Sequence, residues 1–121
     1  MSSALPRVLL VEPQFVLRRT VATVARDLRL ADVDEAATLG AAEHLAQTQR
    51  YDGVVLSSGA APDAADALAR LVAQTRATRG LLLLAPAHAE PATPHAVLRR
   101  PVNVKAMVKL LGGIATDPQG R

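Results

Sequence analysis

The chain has 121 residues, half of them hydrophobic, which is enough for one domain with a sizeable core, and the absence of cysteine excludes a disulfide framework, a zinc–thiolate site and a thiol nucleophile. The formal charge is +3, from 14 basic against 11 acidic residues spread over several segments, and Phe15 and Tyr51 are the aromatics, too few for a binder that stacks single-stranded bases. The apolar stretch behind the N-terminus, Val8–Val11, is far too short for a signal peptide or membrane span, so the expectation is a soluble, cytoplasmic domain with neither a membrane nor a nucleic-acid partner.

Val8–Val11 is the first of several continuous apolar runs, the pattern of a parallel strand covered on both faces. A helical segment follows, with Leu17, Val21, Val24 and Leu28 on one stripe and Arg18, Arg19, Arg26 and Arg29 on the far side, Phe15 and Ala22 among them. Ala31–Ala37 reads as a weaker strand, and its Asp32, Asp34 and Glu35 suit a sheet edge, where charge discourages further pairing. Behind Thr38 comes a shorter helix with Leu39, Ala42, Leu45 and Ala46 on one side; Val54–Leu56 is the next buried strand. Pro62-Asp63 then opens a helix whose inner stripe is Ala64, Leu68, Leu71, Val72 and Thr75, with Asp63 as its cap.

Leu81–Leu84 is the fourth strand. The stretch after it, LAPAHAEPATPHA, carries Pro86, Pro91 and Pro94, a spacing through which no helix can run. Val97–Leu98 is a last strand, and Val104, Val108 and Leu111 define a final helix with Asn103 as N-cap and Gly112-Gly113 as its stop. Residues 1–121 thus form one domain with a core of about 7–114 and a frayed tail at 115–121. The alternation of strands and helices implies a parallel sheet with right-handed crossovers and helices on both faces, and such sheets bind ligands at the C-terminal strand ends. The positions of interest are therefore Glu12-Pro13-Gln14, Ser57-Ser58-Gly59, Ala85-Pro86 and Arg100-Pro101.

Three segments at these ends, RVLLVEPQ, YDGVVLSS and LRRPVNVKAMVKLL, occur in an order and spacing that resemble the receiver domain of bacterial response regulators, over nearly the whole chain from Arg7 to Ile114. The resemblance implies a flavodoxin-like, doubly wound α/β fold with a five-stranded parallel sheet of order 2-1-3-4-5, here with the fourth helix shortened or absent. It also implies where the aspartyl-phosphorylation pocket would lie, and there the sequence departs from the family. Ser57 stands in the place of the phosphoacceptor aspartate, Pro13 replaces one of the two opening acids while Glu12 keeps the other, Ala85 replaces the switch hydroxyl residue, and Arg100 replaces the lysine; Pro101 is retained. A serine hydroxyl is a weak nucleophile without a base, and one carboxylate is a poor basis for a magnesium site. Glu12 against Arg100 can be neutral without a metal.

Other candidate sites are weak. His88, Glu90 and His95 match no metal-binding spacing, and His44 reads as a surface residue. Ser57-Ser58-Gly59 lacks the glycine pattern of a nucleophile elbow, no Gly-rich loop follows a strand, and Asp52 lies at the wrong end of the third strand. The expectation is therefore a domain without catalytic residues, metal or cofactor. It would be a phosphorylation-independent pseudo-receiver that binds protein. In the family the first helix is where histidine kinases and phosphotransfer domains dock, so the resemblance makes Phe15, Arg18, Arg19 and Arg26 the partner-binding candidates. The alternative is a flavodoxin-like domain that holds a small ligand or nucleotide at the strand ends; an apolar pocket between Pro13, Ser57 and Ala85 would favour it.

Overall fold

The structure is a computed structural model and describes residues 5–84 and 96–99. Strand β1 (Arg7–Val11) leads into helix α1 (Phe15–Asp27), then β2 (Asp32–Ala36), α2 (Leu39–Ala46), β3 (Gly53–Ser57), a 3-10 turn (Ser58–Ala60), α3 (Ala64–Thr75), β4 (Arg79–Leu84) and β5 (Ala96–Arg99). The five strands are parallel in the order β2-β1-β3-β4-β5, as the sequence led us to expect. The expected final helix Asn103–Gly113, the proline-rich stretch that interrupts a fourth helix, the tail 115–121, and Ala85, His88, Glu90, His95, Arg100 and Pro101 lie outside the described residues.

Successive strand residues point to opposite faces, and both faces of β1 are apolar, which is why its hydrophobic run is unbroken. Leu9 and Val11 join Val54, Leu56, Leu82 and Leu84 under α2 and α3, packed on Ala42, Ala46, Ala67, Leu68 and Leu71. Val8 and Leu10 join Val55, Leu81 and Leu83 on the other face, under Val21 and Ala25 of α1. The acidic strand β2 is the edge of the sheet.

The expected inner stripe of α1 is turned by part of a rotation. Val21 is buried, but so are Ala22 and Ala25, whereas Val24 is only half-covered and Leu28 is 55% exposed. Small side chains let a helix approach the sheet closely, and they add little to a hydrophobic pattern, so a reading that weights Leu and Val misplaces the face. The helix ends in a Schellman motif: the amides of Leu30 and Arg29 reach back to the carbonyls of Ala25 at 2.8 Å and Arg26 at 3.0 Å. The left-handed position is held by Arg29, with φ of 54°, where glycine is usual. Arg76 does the same after α3, with φ of 63°.

The helix expected behind Thr38 is capped by it, the Thr38 hydroxyl accepting from the Ala41 amide at 3.1 Å. Asp63 occupies the N-cap position of α3, but its side chain makes no capping bond, because the backbone there is neither extended nor helical (φ −111°, ψ 62°). At the N-terminal end of the sheet, Asp52 ties β1 to the turn before β3: its carboxylate accepts from the Arg7 amide at 2.8 Å and its own amide donates to the Arg7 carbonyl at 2.7 Å.

Candidate functional site

The C-terminal strand ends bring Glu12 and Ser57 together. Val11 pairs with Leu56, so the residues that follow them emerge side by side at the same edge of the sheet. Glu12 extends the ladder by one bond, its amide donating to the Ala36 carbonyl at 2.9 Å, and this fixes the chain before it turns into α1. Its side chain is completely buried, and Oε2 accepts from the Gln14 amide at 2.8 Å. The carboxylate thus takes a bond from the N-cap residue of the helix that follows, a favourable place for an anion. Pro13 is exposed at the crest of this loop and brings no side-chain oxygen to the pocket. Ser57 is buried as the last residue of β3, and Ser58 is buried as the chain enters the 3-10 turn.

The chemistry available to this arrangement is limited. One carboxylate and two hydroxyls supply few hard oxygen ligands for a divalent ion, and no group of three His, Asp or Glu side chains among the described residues could hold a metal. His44, the histidine among the described residues, lies exposed on α2. Three further positions expected in the pocket, Ala85, Arg100 and Pro101, lie outside the described residues.

The helix face next to this pocket differs from the expected row of outward arginines. Phe15 and Val16, in the first turn of α1, are 64% and 75% exposed and form an apolar step at the mouth of the strand ends. Arg18 is turned inward, with only 14% of its side chain exposed. Its Nε donates to Glu35 Oε1 at 3.2 Å, its Nη1 donates to the Glu12 carbonyl at 2.9 Å, and its guanidinium lies 5.4 Å from the centre of the Phe15 ring. Arg19 is exposed and pairs with the other oxygen of Glu35. A carboxylate on the edge strand therefore gathers two arginines that periodicity alone would leave in solvent.

Arg26 is exposed as expected. It lines an open groove of about 290 Å³ beside β2, together with Arg7, Ala22 and the run Asp32–Glu35. Ala22, expected among the outward arginines, is buried at the floor of that region. A cluster at the opposite end of the sheet was not anticipated. The buried Tyr51 donates its phenol to Asp34 Oδ2 at 2.6 Å, and Arg7 Nη2 donates to the same oxygen at 2.9 Å. Burial first, and the bond to the Asp34 carboxylate second, push the phenol above the ordinary tyrosine range. The sequence signal for this cluster was the acidic edge strand, read as negative charge without its partners.

No protein-family model matches this sequence, and no curated protein matches it. Solved structures do resemble it. The receiver domain of the Francisella response regulator 1452 is 18% identical, superposes with a TM-score of 0.77, and aligns over 93% of this chain and 98% of its own. The chemotaxis response regulator CheY4 of Vibrio cholerae is 20% identical, with a TM-score of 0.76 over 92% of this chain and 99% of its own. The receiver domain of the Erythrobacter litoralis response regulator PhyR is 15% identical, with a TM-score of 0.76 over 94% of this chain and 92% of its own. No helix among the described residues is long and apolar enough to cross a membrane. At these identities the likeness is one of fold, and together with the strand order it gives this chain the CheY-like receiver-domain fold.

Proposed function

We propose that this domain is a pseudo-receiver, a protein-interaction module of bacterial signalling that works without aspartyl phosphorylation. The observation that carries this reading is Ser57, which ends β3 beside Glu12, where the family resemblance puts the phosphoacceptor carboxylate. A buried hydroxyl there offers neither the nucleophile nor the metal ligand that phosphoryl transfer requires. Glu12 has another use in this scheme. A counter-charge stabilises a carboxylate buried this deeply, and Arg100, which follows the last strand in the sequence, is the group proposed to supply it. The pocket is then held in one state by an internal ion pair.

The proposed docking face is the first turn of α1. Phe15 and Val16 are exposed, Phe15 is braced by Arg18, and Arg19 and Arg26 extend the surface along the helix. A rigid aromatic beside arginines is the composition of interface hot spots. The partner class is a signalling protein, with a histidine kinase or phosphotransfer domain as the expected candidate. The test is affinity capture from the native host with wild-type domain and with Phe15→Ala/Val16→Ser, each with and without acetyl phosphate and magnesium. The reading expects a partner held by the wild type in both conditions and lost by the variant. A partner captured only after phosphodonor treatment, or held equally by the variant, contradicts it.

A further inference from the structure

We infer that Arg18 is a positioning residue that couples the strand-end pocket to the exposed Phe15, so that a change in the Glu12–Gln14 loop is felt at the first turn of α1. What the coupling is for rests on the docking role proposed above; the coupling itself rests on geometry alone. Arg18 contacts the loop, the edge strand and the apolar step together. Its guanidinium is used in three directions: one nitrogen on the Glu12 carbonyl, another on the Glu35 carboxylate, and the charged carbon near the Phe15 ring.

Each contact constrains the others. The guanidinium is planar, so its two hydrogen bonds fix its plane, and that plane fixes the cation over the ring. A lysine ammonium could satisfy one partner at a time but could not hold this fork. The loop end is equally determined. The Glu12 carboxylate accepts from the Gln14 amide, and the Arg18 amide donates to the Gln14 carbonyl at 3.0 Å as the first bond of α1. Movement of the Glu12 side chain therefore displaces the loop whose carbonyl anchors Arg18, and Phe15 loses its brace.

The chain contains a single phenylalanine, which makes the test selective. Incorporation of 4-fluorophenylalanine gives one fluorine resonance, that of residue 15. The experiment compares wild type, Glu12→Gln, Arg18→Lys and the double variant, the four proteins forming a double-mutant cycle. The inference expects Glu12→Gln to move the resonance by more than its linewidth in the Arg18 protein and by much less in the Arg18→Lys protein. Equal shifts in both backgrounds, or no shift in either, overturn it. Where Glu12→Gln fails to fold, Pro13→Ala perturbs the same loop from its exposed side and is judged by the same comparison. The cycle uses no partner, so its failure is separate from failure of the docking face, which is read by capture with the Phe15→Ala/Val16→Ser variant.

Discussion

Tyr51→Phe removes a single oxygen from a place where its effect can be worked out in advance. The phenol donates to Asp34 Oδ2 at 2.6 Å, an acceptor that also holds Arg7. Hydrogen bonds to charged groups contribute about 1.5–3 kcal/mol, and Asp34 is partly exposed, so water replaces some of the loss. The expected cost at neutral pH is about 1–2 kcal/mol. Burial, together with the same bond, raises the phenol above its usual value of about 10, and this gives the cost a pH dependence of known sign. Above that value the unfolded chain releases the proton while the native state keeps it, so the unfolded state binds fewer protons and stability falls as pH rises. The fall approaches about 1.4 kcal/mol per pH unit and accumulates to about 1.4 kcal/mol by pH 11. Tyr51→Phe has no such proton to lose. The two proteins should therefore differ by about 1–2 kcal/mol at neutral pH and converge near pH 11. Urea unfolding across that range measures the gap, and lysine and arginine titrations common to both proteins cancel. Tyr51 is the chain's single tyrosine and there is no tryptophan, so near-ultraviolet absorbance reports its ionisation directly. A gap that stays constant with pH, or a phenol that ionises at the ordinary value in the folded protein, would show that Asp34 does not hold the phenol protonated.

Two other substitutions test separate parts of the structure. Arg29→Gly relieves a left-handed residue at the end of α1 and should stabilise the domain by about 0.5–1 kcal/mol, seen as a higher urea midpoint at unchanged slope; a lower midpoint would show that the Arg29 side chain contributes more than its backbone costs. If Arg100 supplies the proposed counter-charge, Arg100→Ala should destabilise by about 3 kcal/mol or more and adding Glu12→Gln should restore much of that loss; a double variant no better than the single one removes Arg100 as the counter-charge.

The parts of the fold written in continuous local signals were legible in the sequence. Val8–Val11, Val54–Leu56 and Leu81–Leu84 are apolar without interruption because helices cover both faces of the sheet, and each is a central strand. Charge placed β2 at the edge, and Thr38 marked the start of α2. The features that were missed depend on partners distant in the chain. Arg18 looks like solvent-facing charge until Glu35, 17 positions away, and the Glu12 carbonyl are brought to it by the β1–β2 pairing. Tyr51 and Arg7 likewise meet on Asp34 only once the sheet has formed. The ends of α1 and α3 carry no glycine signal, because arginine takes the left-handed position there. In the candidate site, Glu12 and Ser57 could be paired from the order of the strands. The burial of Glu12 and its bond to the Gln14 amide could not, since both follow from how tightly the loop turns into α1.

The proposed pseudo-receiver reading turns on whether the strand-end pocket carries out phosphoryl transfer. Incubation with acetyl phosphate and magnesium, followed by intact-mass spectrometry beside an active receiver domain, decides it. On the proposed reading this chain keeps its mass while the active domain gains one phosphoryl group, since a buried serine would stand in the place of the phosphoacceptor carboxylate and Pro13 offers no side-chain oxygen to a metal. A phosphoryl adduct on this chain, stable enough to be weighed, would contradict it.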